Sequence, residues 1–319
     1  MFIRILALAG ILYGACACAA SLIAPGTYLV EGEATPNRQP DGNSIIMVAP
    51  QGLIVFDTGR HKEHAQQLLD FARAQNLPIA AIINSHWHLD HVGGNPRLRA
   101  AFPDIRVYAS SAIDAARKGF LPDYRAQLAT ELAAAAKQPE AQDSMRAEIA
   151  LIDQGAELGP TDPIKSSGPV DIAGRRLQLH LESHAVTAGD LWVFDPQTRV
   201  LLAGDLVTLP APFFESACPA RWRAALAHLD KAPFDWLVPG HGAPMRKAQF
   251  TAYRKAFSNL LECVAGNAGK NACVDGWIGD ASALFASSRD ASYARTLIGY
   301  YMDNYLSHPT ERIRKFCTD

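Results

Sequence analysis

The chain has 319 residues, 49% of them hydrophobic and 19% charged, with a formal net charge of -2. That balance supports a sizeable buried core and excludes a mainly disordered chain. A near-neutral charge without a Lys/Arg run also excludes electrostatic recruitment to nucleic acid or to anionic lipid.

Residues 1–20 read as an export signal, in which Arg4 is the only charge, 5–13 are an apolar run and 14–20 are rich in small residues. The run is too short to cross a bilayer and fits a cleaved signal peptide. The competing reading is a lipoprotein signal with a lipid anchor on Cys16 or Cys18, which Tyr13 fits poorly. No later stretch is long and apolar enough for stable membrane insertion, so the expected compartment is periplasmic or secreted.

The mature chain opens with a short strand at 28–33 and a hairpin, 44–49 with 53–56, around Pro50-Gln51-Gly52. Asp57-Thr58-Gly59 turns the chain into a helix over 61–75, with Leu68, Leu69 and Phe71 among its apolar positions. A short buried strand at 79–84 runs into a polar, Gly-containing loop at 86–95, and another strand covers 106–109. Residues 111–154 are mostly helical: strong helix formers fill 124–137, and Pro139 breaks that helix before a second one ends near 153. A hairpin at 168–181 turns at Ala173-Gly174, and strands at 191–194 and 200–203 meet at Asp195-Pro196. A helix at 221–231 and a strand at 236–239 follow, and the chain beyond Lys247 is mainly helical. The organisation expected is a signal at 1–20, a catalytic domain at 21–246, and a helical C-terminal extension at 247–319 packed on the same domain.

Beyond Cys16 and Cys18 the chain holds Cys218, Cys263, Cys273 and Cys317. Four cysteines in an exported protein allow three pairings. Cys263 and Cys273 enclose a Gly/Asn-rich loop and form the natural local pair; Cys218 with Cys317 would then tie the chain end to the body.

His86-Trp87-His88-Leu89-Asp90-His91 places four potential metal ligands within six residues, in a loop behind a buried strand. There the side chains can converge without obeying a helical or strand period. Imidazole with carboxylate suits zinc, with iron and manganese as alternatives. No Gly-x-Ser-x-Gly elbow and no nucleotide-binding P-loop competes with this signal.

The run His-x-His-x-Asp-His followed by Val-Gly-Gly-Asn resembles the metallo-β-lactamase superfamily. Over about 26–246, Asp57-Thr58-Gly59, Gly204-Asp205 and Pro239-Gly240-His241-Gly242 match the family's further motifs in order, each after an apolar strand. The resemblance implies an α/β fold, a four-layer αββα sandwich with two divalent metal ions, most simply zinc, at one edge of its sheets. It implies that His86 and His88 hold the first metal, that Asp90, His91 and His241 hold the second, and that Asp205 bridges them. Asp57 is expected to accept a hydrogen bond from a ligand imidazole.

The family's His-Thr-x-Gly-Asp stands here as Val186-Thr187-Ala188-Gly189-Asp190, so His184, two residues earlier, is the candidate third histidine of the first site. Without it that site rests on His86, His88 and Asp205 and is expected to be weak, empty or completed by water. Trp87, Phe213 and Phe214 follow ligand segments and are candidates to line a substrate pocket, whereas His61, His64, His180, His228 and His308 are expected to have no catalytic role.

The activity implied is hydrolysis of a small-molecule ester, lactone, thioester, β-lactam or phosphoester by a hydroxide shared between the metals, with Asp90 orienting it. Zinc β-lactamases of the family usually carry Cys or Ser where this chain has Asp205, so β-lactam cleavage is not the default. Two alternatives keep the fold. One is an iron-dependent persulfide or redox enzyme. The other is a non-catalytic periplasmic accessory binding protein of a quinoprotein system, motivated by the displaced His184.

Overall fold

The computed structural model describes residues 20–33, 38–135, 139–307, 309 and 311–318. Residues 1–19 of the expected export signal, with Cys16 and Cys18, and His308 lie outside these residues.

Seven strands form one sheet in chain order: β1 (Ser21–Ala24), β2 (Thr27–Val30), β3 (Ser44–Ala49), β4 (Gly52–Phe56), β5 (Ile79–Ile83), β6 (Arg106–Ala109) and β7 (Asp162–Pro163). Pairing is antiparallel up to β4 and parallel from β4 to β7. The second sheet contains β8 (Gly168–Ile172), β9 (Arg175–Glu182), β10 (Asp190–Asp195), β11 (Val200–Thr208) and β12 (Trp236–His241), in the order β12-β11-β10-β9-β8. The β8–β9 hairpin turns through Ala173 and Gly174, with φ of 51° and 80°. Positive φ at both central residues matches the right-handed twist of the flanking strands.

Side-chain alternation sorts the strands into layers. Ile45, Met47, Ile54 and Phe56 point between the sheets, where they meet Leu177, Leu179, Val193, Leu202 and Val238. Their neighbours Ile46, Leu53 and Val55 point outward onto Leu68, Leu69 and Phe71 of α1 (Lys62–Gln75). On the far side, Leu201, Ala203 and Leu237 pack against α7 (Pro219–Leu229), α8 (Lys247–Ala265), α9 (Lys270–Ala281) and α10 (Ser288–Tyr301) through Trp222, Phe250, Tyr253, Phe257, Trp277 and Ile298. This is an α/β sandwich of layers αββα with a helical C-terminal region. A buried pair, Arg175 Nη2 to Asp195 Oδ2 at 2.5 Å, braces the sandwich, and Arg175 Nη1 donates to Val48 O of the opposite sheet at 2.8 Å.

In the chain, α2 (Leu89–Val92) and α3 (Asn95–Ala101) follow β5, and α4 (Ala112–Ala116), α5 (Phe120–Ala134) and α6 (Pro139–Ile152) follow β6. The last three cover Trp87, Leu89 and Val92 with Ile113, Leu121, Leu128 and Ile152. The helix α2 replaces part of the expected loop; its single turn is too short to show a period. Strand β11 runs to Thr208, past the expected end, through Gly204 and Asp205, residue types that strands disfavour. Cys218–Cys317 and Cys263–Cys273 are bonded, with Cα separations of 5.3 and 5.5 Å. The first joins the N-cap of α7 to α11 (Glu311–Thr318).

Candidate metal centre

The site sits where β4, β5, β11 and β12 end at one edge of the two sheets. Asp57 follows β4, His86 lies just beyond β5, Asp205 lies in the second half of β11 and His241 ends β12. Asp205 is aimed by a break in register at Gly204, whose φ is +53°. A side chain there would collide with Ser85, and one at Gly240 would occupy the place of the Asp205 carboxylate. Only glycine meets both demands. Asn43 secures the His241 turn, its Nδ2 donating to Pro239 O at 3.0 Å and Gly242 O at 2.9 Å.

Donor atoms of His86, His88 and Asp205 lie within 4.8 Å of one another, and so do those of Asp90, His91 and His241. Asp205 faces both groups: Oδ2 is 3.7 Å from His86 Nε2, whereas Oδ1 is 3.3 Å from His91 Nε2 and 3.5 Å from His241 Nε2. Asp90 Oδ2 is 3.0 Å from His241 Nε2 and 3.6 Å from His91 Nε2. Three buried atoms at the centre, His86 Nε2, His91 Nε2 and Asp205 Oδ1, have no hydrogen-bond partner. Orphaning such atoms costs about 1–3 kcal/mol each. Divalent cations between the two groups would satisfy all three, and an N/O donor set of this kind fits zinc.

Proton bookkeeping fixes the tautomers. Ser216 Oγ donates its one proton to Val186 O at 3.0 Å, so at 2.9 Å it must accept from Nε2–H of His88, which leaves Nδ1 as the lone pair. Ser85 Oγ donates to Asp57 Oδ2 at 2.7 Å and therefore accepts from His86 Nδ1 at 2.9 Å, leaving Nε2 free to ligate. His91 Nδ1 donates to the same Asp57 oxygen at 2.8 Å, again leaving Nε2. Asp57 takes a left-handed φ of 57° and is held by Ser85 N at 2.7 Å.

Electrostatics divides the two groups. Burial lowers His88 to about 4 and His86 well below the ordinary imidazole value, so both are neutral and ready to ligate. For His91 burial acts the same way but is outweighed by Asp205, Asp57 and Asp90, and its pKa is raised well above the ordinary value. His241 is likewise raised, because Asp205 and Asp90 outweigh burial. Against their own burial, Asp90 and Asp205 are held well below the carboxylate range by His91 and neighbouring imidazoles. The acidic surroundings that raise His91 and His241 are those a cation would also favour.

The other expected site residues separate. His184 belongs to neither donor group; it has φ of 57° and its ring lies 4.8 Å from Phe316 of α11. Val186 is buried, with its N–H on Asp190 Oδ2 at 2.9 Å. Trp87 and Phe213 stand edge-on to His88, with ring centroids at 4.6 and 5.1 Å. Phe214, 1% exposed, packs on Trp222, Phe257 and Tyr301 inside the core. His61 pairs with Asp41, His64 with Ser44, His228 with Glu182, and His180 stacks on Trp192; none joins a donor group. Ser85, Ser216, Asn43 and Arg60 were not apparent as site residues in the sequence. A signal existed only for Ser85 and Arg60, which adjoin His86 and the Asp57-Thr58-Gly59 turn.

The profile of the metallo-beta-lactamase superfamily matches residues 38–242, which spans every residue of both donor groups. The chain belongs to that superfamily. It is 28% identical over 221 residues to a linear primary-alkylsulfatase of Pseudomonas sp., covering 63% of this chain and 41% of that one. It is 44% identical over 72 residues to a hydroxyacylglutathione hydrolase of Bdellovibrio bacteriovorus, covering 22% and 27%. The chain therefore spans less than half the length of these relatives. Among solved structures, a double mutant of the sec-alkyl sulfatase PisA1 aligns with a TM-score of 0.60 at 19% identity, over 92% of this chain and 51% of that one. A metallo-beta-lactamase from Pontibacter korlensis aligns with a TM-score of 0.55 at 19% identity, over 75% and 98%. These likenesses share the fold.

Proposed function

We propose that the protein is a hydrolase working through two divalent cations, most simply zinc. His86 and His88 serve the first, Asp90, His91 and His241 the second, and Asp205 both. The observation that carries this reading is that three partnerless buried atoms, His86 Nε2, His91 Nε2 and Asp205 Oδ1, belong to two adjoining groups of ligand-type side chains that Asp205 faces together. His184 is not part of this ligand set, which leaves the first site one protein donor short of the second.

When bound, such a cation pair lowers the pKa of water and polarises the oxygen that gains charge during attack. The chain's own residues do the rest. Asp90 Oδ2 faces the second group and can hold the proton released by the attacking water. Asp57, Ser85 and Ser216 keep the imidazole lone pairs turned inward. Trp87 and Phe213 flank His88 and keep bulk water from that side of the site.

For the substrate, the relatives' names favour a sulfate ester of an alkyl chain or a hydroxyacylglutathione, a thioester, ahead of a lactone, phosphoester or β-lactam. Two disulfides favour an oxidising compartment, periplasmic or secreted. Among the described residues no helix is long and apolar enough to cross a membrane.

The test is a panel of an alkyl sulfate, a thioester, a lactone, a phosphoester and a β-lactam, offered to zinc-loaded protein. Turnover of at least one, abolished by chelation and restored by zinc, is expected. Tight binding of metabolite without turnover of any would overturn the reading.

A further inference from the structure

One buried cation of the protein lies directly behind a proposed ligand. Arg60 follows the Asp57-Thr58-Gly59 turn, and its Nη2 is 3.4 Å from Asp90 Oδ1, the carboxylate oxygen turned away from His241. Its Nη1 is bonded to Glu148 Oε1 of α6, and Tyr124 of α5 donates its hydroxyl to the same oxygen at 3.4 Å. The backbone fixes the arginine from the other end. Its Nε donates to Pro40 O at 3.2 Å and its N–H to Asp41 Oδ1 at 2.6 Å. The side chains of Arg60, Asp90 and Glu148 are only 11%, 10% and 8% exposed, so this is a desolvated network and not a surface pair.

Taking a guanidinium out of water beside a cation site is costly, and its charge would oppose the cation. Glu148 removes that objection: with the carboxylate on Nη1 the pair is neutral, while the rigid fork of the guanidinium still reaches Asp90. We propose that Arg60 and Glu148 are a positioning pair for Asp90. The pair holds Oδ1 so that Oδ2 faces the second cation, and through it α5 and α6 set the geometry of that site. The inference rests on the two-cation reading above. Neither residue touches substrate; both act through Asp90.

Cobalt(II) titration of the full, metal-free chain tests it, reading the visible absorption of each bound ion and a dissociation constant for each step. Asp90→Asn assigns the step that belongs to the second site. The double variant Arg60→Met with Glu148→Met leaves no buried charge unpaired and should keep the fold, checked by thermal unfolding without metal. Second-site affinity should fall about 10- to 100-fold, the usual effect of losing a partner of a metal ligand, with the other step unchanged. Glu148→Gln, which leaves the arginine charge uncompensated, should weaken the same step at least as much. Wild-type affinity at the step that Asp90→Asn removes, in both variants and with two ions bound by the wild type, would overturn the positioning role alone. A wild-type chain that binds no cobalt and no zinc would overturn the two-cation reading, and this inference with it.

Discussion

Asp57 Oδ2 receives both the Nδ1–H of His91, at 2.8 Å, and the hydroxyl of Ser85, at 2.7 Å, which in turn accepts from Nδ1 of His86. One buried carboxylate oxygen thus fixes the ring orientation and tautomer of a histidine in each donor group. Asp57→Ala should therefore weaken both metal sites, each by about 10- to 100-fold. Titrations that show only one site weakened would place Asp57 on one imidazole and break the relay through Ser85.

Ser216 has the narrower task of orienting His88 alone. Ser216→Ala should weaken the first site by about tenfold and leave the second untouched. Stepwise zinc competition against a chromogenic chelator separates the two.

The pKa directions give the two sites different pH behaviour. His91 and His241 are raised, so metal must displace their protons, and second-site affinity should climb as pH rises through neutrality. His86 is lowered well below the ordinary value and His88 to about 4, so these two carry no proton to displace and the first site should be nearly flat over the same range. Proton release on zinc binding, measured in weakly buffered solution, should accompany the binding step that Asp90→Asn removes. Equal release on both equivalents would contradict the assignment.

Away from the site, Arg175 and Asp195 form the ion pair that braces the sheets, with side chains 4% and 1% exposed. Arg175→Ala leaves a buried carboxylate uncompensated and should cost about 3–5 kcal/mol. Denaturant unfolding at neutral pH measures this directly, and a loss under about 1 kcal/mol would show that Thr198 and the backbone alone satisfy Asp195.

Much of this architecture is legible in the sequence because its signals are local. The strands before Asp57, His86, Asp205 and His241 are apolar runs, and four of the ligands fall in one hexapeptide, so chemistry and position are read together. What escaped depends on distance in space. Ser216 and Arg60 are ordinary residue types whose roles appear only when the loop after β11 and the turn after β4 fold against His88 and Asp90. His184 is near the expected position in sequence, yet its left-handed backbone lays its ring on Phe316 of a helix more than a hundred residues away. Phe213 and Phe214 are alike in sequence, but only Phe213 reaches His88; Phe214 enters the core behind α7.

The central claim is that hydrolysis depends on the cations shared through Asp205. The most direct measurement is hydrolytic rate against metal content in the full chain, stripped with chelator and reloaded stepwise with zinc, for the wild type, His88→Ala and Asp205→Ala. No turnover without metal, recovery as the wild type fills to two equivalents, and no recovery in either variant is the expected result. Undiminished turnover in the metal-free wild type, or in both variants, would contradict it.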